Sequence, residues 1–254
     1  MIDRRLAVLN YHRVVPDGAE SEFYDVPEAV FDAQMRILAE RMVETVDGEI
    51  RLSSGITTCL TFDDGTKDHY RVGHSLRELG LPGVFFVVTG KLDAAKRLTT
   101  PQVQELAEMG HRIGSHTVTH ARLPEITDAE LRSELVGSRR HLEHLLSRPV
   151  DWLAPPGGLF DKRVLEVAAD VGYRVIRTME WGYASRPLEG RIPALPVLPS
   201  YDREGFVRLI EGRAPLWRYH LKRGLKSAVG EDRYVRLRDV AYGYMRRRRS
   251  GTKA

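Results

Sequence analysis

The sequence predicts an α/β fold, a distorted (β/α) barrel with about seven parallel strands. Two observations carry this. Short β-type runs alternate with helix-length amphipathic stretches over about 200 residues, and parallel strands can be joined only through crossovers of that kind. The residues with chemistry also fall just past the C-terminal ends of those runs, where such a barrel places its site. An open doubly wound sheet is the other topology with this pattern. The chain has no Gly-x-Gly-x-x-Gly and no Walker-type loop, so a nucleotide-binding version has no motif to rest on.

In chain order, the first expected strand is 6–12, an apolar run from Leu6 to Leu9 that gives way to Asn10. A helix is expected over 27–41. The second strand, 57–62, holds Cys59, read as a small buried hydrophobe. As the chain's one cysteine, it excludes an internal disulfide and a multi-cysteine zinc site. A helix over 67–79 stops at Gly80, and a third strand follows at 83–89. The helix 101–109 has Thr100 as its cap, Pro101 in its first position and Gly110 after its end. Strand 112–115 precedes a helix over 128–146, which opens on the capping-box spacing Thr127-Asp128-Ala129-Glu130. Strand 150–154, a helix over 161–171 ended by Gly172, and strands 173–177 and 192–198 complete the pattern. Gly80, Gly110 and Gly172 each stand where a left-handed C-terminal residue is wanted.

A hydrophobic content of 42% with 29% charged residues suits a soluble domain with a substantial core. The net charge of +4 is uneven. From Arg213 to Ala254 there are 13 Lys/Arg against 3 Asp/Glu, a net +10, which leaves 26 against 32, or −6, for residues 1–212. The expected division is therefore a catalytic domain over 1–212 and a basic C-terminal extension over 213–254, helical and partly disordered. Trp217 to Lys226 interleaves aromatics with Arg, His and Lys, and Arg246 to Arg249 adds a basic run. Such a segment favours an anionic membrane surface, whereas nucleic acid is not expected because no recognition module is present. No run approaches the roughly 18 apolar residues of a spanning helix. The apolar stretch after Met1-Ile2-Asp3-Arg4-Arg5 is too short for a secretory leader, so the expected location is cytoplasmic, peripheral at the inner membrane.

Three segments carry the chemistry. In Thr61-Phe62-Asp63-Asp64-Gly65, two adjacent carboxylates cannot face the same way along an extended chain, so one can bind a metal while the other polarises water. In Ser115-His116-Thr117-Val118-Thr119-His120, imidazoles at i and i+4 can converge on one ion if the segment turns helically. Ala154-Pro155-Pro156-Gly157-Gly158 is a rigid loop whose amides can approach a ligand. Taken singly these are a solvated turn, two surface histidines and an ordinary loop. Together, one carboxylate and two imidazoles leave coordination positions open, as a catalytic metal site requires.

These residues resemble the NodB-homology polysaccharide deacetylases, carbohydrate esterase family 4. The family's first motif, Thr-Phe-Asp-Asp-Gly, stands letter for letter at 61–65. The second, His-Ser/Thr-x-x-His, stands at 116–120, and the third, Arg-x-Pro-x-Gly, is partly matched at 154–158. The resemblance covers roughly residues 5–200. It implies hydrolysis of the N-acetyl group of an amino sugar in a polysaccharide or lipid-linked glycan. It also implies a divalent metal, zinc first with cobalt or nickel as alternatives, on Asp64, His116 and His120. Asp63 would be the general base, and a backbone amide near Gly157, beside Pro156, would help to hold the oxyanion. The fourth motif, Asp-x-x-Asp-Trp, is echoed by Glu180-Trp181, so Trp181 either lines the acetyl pocket or is a core indole.

Two departures matter. Ala154 stands where the family has the Arg that orients the base, and Arg177 and Arg13 are the candidate replacements. The fifth motif, Leu-x-His, should supply the general acid, yet the strand there reads Leu195-Pro196-Val197-Leu198. His12, in Asn10-Tyr11-His12-Arg13-Val14, closes the first strand and would face the same mouth as Asp63. It resembles the Tyr-His element of circularly permuted members, such as the bacterial poly-N-acetylglucosamine deacetylases, in which an early His stands in. His69, His74, His111, His141 and His144 read as surface or packing residues. Two rivals remain: an N-acyl hydrolase on a non-carbohydrate substrate, and an inactive glycan-binding pseudoenzyme. Ala154 and the missing late histidine favour the latter, and the intact Asp63 opposes it.

Overall fold

The seven short β-type runs become seven parallel strands that close on one another, nearly continuously buried because both faces are covered. The computed structural model describes residues 5–46, 48–53 and 56–216. In order these form β1 (Arg5–Tyr11), β2 (Val14–Val15), β3 (Val26–Pro27), α1 (Glu28–Arg41), β4 (Met42–Val46), β5 (Glu49–Leu52) and β6 (Thr57–Phe62). Next come α2 (Asp68–Glu78), β7 (Val84–Val87), α3 (Thr100–Glu108), β8 (Arg112–Ser115), α4 (Asp128–Leu146), β9 (Trp152–Leu153) and α5 (Lys162–Val171). The last are β10 (Val175–Trp181), β11 (Ala184–Ser185), β12 (Gly190–Pro196) and α6 (Arg203–Ile210). Of the basic extension expected from residue 213, all but residues 213–216 lies outside the described residues, and its membrane-surface reading lies there with it.

The barrel runs β1-β6-β7-β8-β9-β10-β12 and back to β1, every pairing parallel. β1 to β6 is the long seam, paired from Leu6↔Thr57 to Tyr11↔Phe62. β11 adds antiparallel to β1, while β5 and then β4 extend β6 antiparallel. This is the expected (β/α) barrel.

Alternation sorts the side chains. Leu6 and Val8 of β1, Cys59 of β6, Val84 and Phe86 of β7, Trp152 of β9, Val175 of β10, and Ile192 and Ala194 of β12 share one buried cluster with Ala154, the barrel interior. Burial pushes the Cys59 thiol up to about 12, which leaves it an inert packing group. The intervening residues face the helices. The Tyr11 ring meets Phe31 of α1 edge-on at 5.5 Å, and Leu153 and Ile176 pack with Leu131, Leu135, Val164 and Ala168 of α4 and α5.

Gly114 is the inward position of β8, and a Cβ there would lie 2.6 Å from the Phe86 ring. A buried ring in a close-packed barrel has little room to yield. Gly114→Ala is therefore expected to lower the unfolding free energy by about 1–3 kcal/mol, read as a shifted denaturation midpoint at unchanged slope. A wild-type midpoint would show slack around Phe86.

Several boundaries differ from the sequence reading for identifiable reasons. β9 is short because Pro155 and Pro156 lack the N–H that would continue the ladder. The cap of α3 is Thr99, not Thr100: Thr99 Oγ1 accepts from Gln102 N, and the Gln102 side chain accepts from Thr99 N. The capping box at Thr127 and Glu130 forms as expected, and Gly80, Gly110 and Gly172 have φ of 69°, 95° and 101°. The β4–β5 hairpin and α6 lie outside the expected pattern.

Candidate metal and catalytic site

The inward parity of the strands runs past their C-terminal ends and delivers the polar residues. On β1 the series Leu6, Val8 continues to Asn10 and His12, on β6 Cys59 continues to Asp63, and on β8 Gly114 continues to His116. Trp152 is followed by Ala154, and Val175 by Arg177. An apolar interior thus ends in a polar rim at one mouth.

Asp64, His116 and His120 converge there. His116 and His120 Nε2 lie 3.5 and 3.2 Å from Asp64 Oδ1, and all three donors lie within 4.8 Å of one another. Ligand atoms each about 2.1 Å from a tetrahedral ion are roughly 3.4 Å apart, so the set fits a divalent cation. The tautomer of His116 is fixed as well, because Nδ1–H donates to the Ala154 carbonyl at 2.6 Å and leaves the Nε2 lone pair available to a cation. His116 is 2% exposed, whereas the side chains of Asp64 and His120 are 26% and 35% exposed, so the site is open on one side. Burial opposes the Asp64 charge, but the imidazoles of His116 and His120 beside it hold its carboxyl far below the usual range.

The two histidines meet through a tight loop, not the helical turn that the i,i+4 spacing suggested. Thr117 and His120 have φ of 67° and 70°. Glu134 of α4 clamps this loop, accepting from Val118 N and Thr119 N at 2.8 and 2.9 Å and from Thr119 Oγ1 at 2.8 Å. Asp64 is itself left-handed at φ 78°, and its carbonyl accepts from Arg97 Nη1 at 2.7 Å.

Asp63, only 3% exposed, faces the barrel. Its Oδ1 accepts from Arg177 Nη2, and its Oδ2 accepts from Asn10 Nδ2 at 3.3 Å and lies 3.9 Å from His12 Nε2. Burial raises its pKa, but the Arg177 guanidinium, with His116 and His12 behind it, outweighs that and holds the carboxyl below its ordinary range. Of the two candidate arginines, Arg177 is therefore the one at Asp63. It is fully buried, with Cζ 5.1 Å from the centre of the Phe86 ring. Arg13 pairs instead with Glu22 and Asp25, at 3.7 and 3.6 Å.

His12 stacks on Tyr24 at 4.8 Å, and its carbonyl accepts from His69 Nε2 at 2.7 Å. Burial lowers the His12 pKa, more than the charge of Asp63 raises it, so the imidazole is neutral at rest. Pro156, buried, opens the 3-10 turn Pro156–Gly158 after β9, the strand between those of His116 and Arg177. Gly158 N and Leu159 N are spent inside this turn, on Pro155 O and Pro156 O, while Gly157 is exposed at φ 62°. Trp181 is half-buried at the end of β10, in register with Ala194.

Asn10, His69, Arg97, Glu134 and Met179 were not singled out from the sequence. Asn10 carried a legible signal, a polar residue at the inward parity of an apolar strand. The others act from helices and loops whose docking no local pattern encodes.

Residues 53–176 match the family model described as polysaccharide deacetylase. The Bacillus subtilis protein YxkH is 27% identical over 191 residues, 72% of this chain and 67% of YxkH. A peptidoglycan-N-acetylglucosamine deacetylase of Bacillus cereus is 26% identical over 138 residues, 54% of this chain and 61% of that protein. This chain thus spans less than two thirds of the length of that enzyme. Among solved structures, a polysaccharide deacetylase from Bacillus cereus superposes with a TM-score of 0.71 at 26% identity, covering 81% of this chain and 69% of that one. The Streptococcus pyogenes deacetylase PplD, in complex with acetate, shares the fold with a TM-score of 0.73 at 23% identity, covering 82% of this chain and 98% of that one.

Proposed function

The chain belongs to the polysaccharide deacetylase family, and from this premise we propose that it is a metal-dependent hydrolase that removes acetyl from an N-acetylated amino sugar of a polysaccharide or lipid-linked glycan. The observation that carries the reading is the convergence of Asp64, His116 and His120 donors at 3.2–3.5 Å, with a second carboxylate, Asp63, facing the same mouth.

A divalent cation on those three residues, zinc first with cobalt or nickel as alternatives, supplies Lewis acidity toward water and the acetyl carbonyl. The protein's own groups manage the protons. Asp63 Oδ1 is taken up by Arg177, so Oδ2, on the His12 side, is the oxygen that accepts the proton of the attacking water. The water oxygen bonds to the carbonyl carbon, the C–N bond breaks, and the amine nitrogen takes a proton from His12 Nε2. Because His12 is neutral at rest, that proton is one received during the cycle, and Asp63 Oδ2 is its source. The exposed Gly157 amide, beside Pro156, supports the developing oxyanion, and Trp181 borders the acetyl group. The products are acetate and a free amine. The +10 extension makes a cytoplasmic location at an anionic inner-membrane surface part of the same proposal.

Acetate release from a panel of N-acetylated oligosaccharides, before and after chelation, tests this. Turnover is expected to fall by at least about 100-fold in metal-free protein and to return with zinc, cobalt or nickel. Full activity without metal, or no acetate from any member of the panel with metal loaded, would overturn it.

A further inference from the structure

Asp63 sits in a closed ring of hydrogen bonds. Arg177 Nη2 donates to Asp63 Oδ1, and Asn10 Nδ2 donates to Asp63 Oδ2 at 3.3 Å. The same two side chains meet again on the far side, where Asn10 Nδ2 and Arg177 Nη1 both donate to Met179 Sδ, at 3.0 and 3.2 Å. Each oxygen of the base is thus held by a donor that is itself anchored on one sulfur. A thioether accepts hydrogen bonds without charge, so it holds the guanidinium without competing with Asp63 for it.

The strand register explains where the arginine comes from. β9 and β10 pair in parallel as Trp152↔Val175 and Leu153↔Ile176, so the next inward positions, Ala154 and Arg177, are neighbours on adjacent strands. Both are fully buried, in an interior that close packing leaves without spare volume. A small residue at 154 lets the side chain enter from 177 instead. Gly158 completes the arrangement: a Cβ there would lie 2.3 Å from Met179 Cβ, so the turn after β9 closes directly onto the methionine.

We propose that Arg177, Asn10 and Met179 form the positioning frame of Asp63, and that Arg177 performs from β10 the task of an arginine at 154. This rests on the reading of Asp63 as the base. None of the three contacts the metal ligands or the acetyl group in that reading, so their effect is on the aim of the carboxylate and belongs in kcat, not KM or metal content.

The test uses the metal-loaded full chain with two substrates, an N-acetylated oligosaccharide and 4-nitrophenyl acetate. The ester reports on Asp63 whatever the glycan, so failure of the glycan assignment alone is distinguishable from failure of the frame. Arg177→Ala is expected to lower kcat by about 100-fold with KM within about threefold and metal content unchanged. Adding Ala154→Arg to that variant should restore kcat at least about tenfold. Because Arg177→Ala strands a buried carboxylate, the milder Met179→Leu is the second arm: it keeps the volume, removes the acceptor, and should lower kcat by about fivefold. Two results would overturn the frame. One is kcat within about twofold of wild type in both Arg177→Ala and Met179→Leu. The other is an Ala154→Arg rescue that restores the melting temperature but not turnover.

Discussion

Asp63→Asn is expected to reduce turnover by about 10³-fold, some 4 kcal/mol of transition-state stabilisation, while the protein keeps its metal. The substitution is nearly isosteric and leaves an oxygen to accept from Arg177, so the barrel mouth retains its shape. What it removes is the basic oxygen that faces His12. The deficit should be similar on an N-acetylated sugar and on an activated acetate ester, because both need the water deprotonated. Elemental analysis separates the roles of the two adjacent aspartates. Loss of metal in proportion to activity would make Asp63 a ligand, whereas Asp64→Asn should lose metal and activity together. Stability gives a second readout. The Asp63 carboxyl is held below its ordinary value of 3.8, so the folded state binds its proton less readily than the unfolded state does. The stabilisation from the Arg177 pair is therefore present above that ordinary value and is lost as pH falls toward the folded one. The stability gap between wild type and Asp63→Asn should accordingly shrink in acid and stay constant near neutrality.

The parts of this site legible in the sequence were those encoded by parity and by spacing within one strand end. Asp63 and Asp64 follow β6 directly, His116 follows β8, and His12 follows β1, so a period-two reading of each strand places them at one mouth. The proximity of the two histidines is legible in their spacing, but the turn between them is not. A spacing of four suggests a helix, whereas Thr117 and His120 are left-handed and Glu134, fourteen residues on from His120, holds the loop. Arg177 could not be separated from Arg13 for a related reason. Arg13 lies next to His12 in the chain, but the β2–β3 excursion turns it toward Glu22 and Asp25. Arg177 is remote in sequence and becomes a neighbour of Asp63 only once β10 is registered against β9 and the barrel is closed. Met179 was illegible because its role depends on a sulfur meeting donors from two strands. The choice between Thr99 and Thr100 as cap was decidable, since Gln102 stands three residues after Thr99 and completes its box.

His12→Ala is expected to separate the two substrates that Asp63→Asn leaves alike. An amine leaving from a tetrahedral carbon must be protonated, whereas 4-nitrophenolate departs as a stable anion. A general acid therefore matters for the first and not for the second. Hydrolysis of the N-acetyl group should fall by about 10²–10³-fold, and hydrolysis of the ester by no more than about threefold, at unchanged metal content. The geometry favours a role this specific. The His12 ring is held flat against Tyr24, its backbone carbonyl is tied to His69 of α2, and Nε2 lies 3.9 Å from Asp63 Oδ2. An imidazole whose burial keeps it neutral at rest is a poor partner for a purely electrostatic task, but it is ready to take a proton from Asp63 and pass it on. If the ester and the amide lose the same factor, His12 serves the attack and not the departure of the amine. If both losses follow the metal content, its part is to hold the strand end in place.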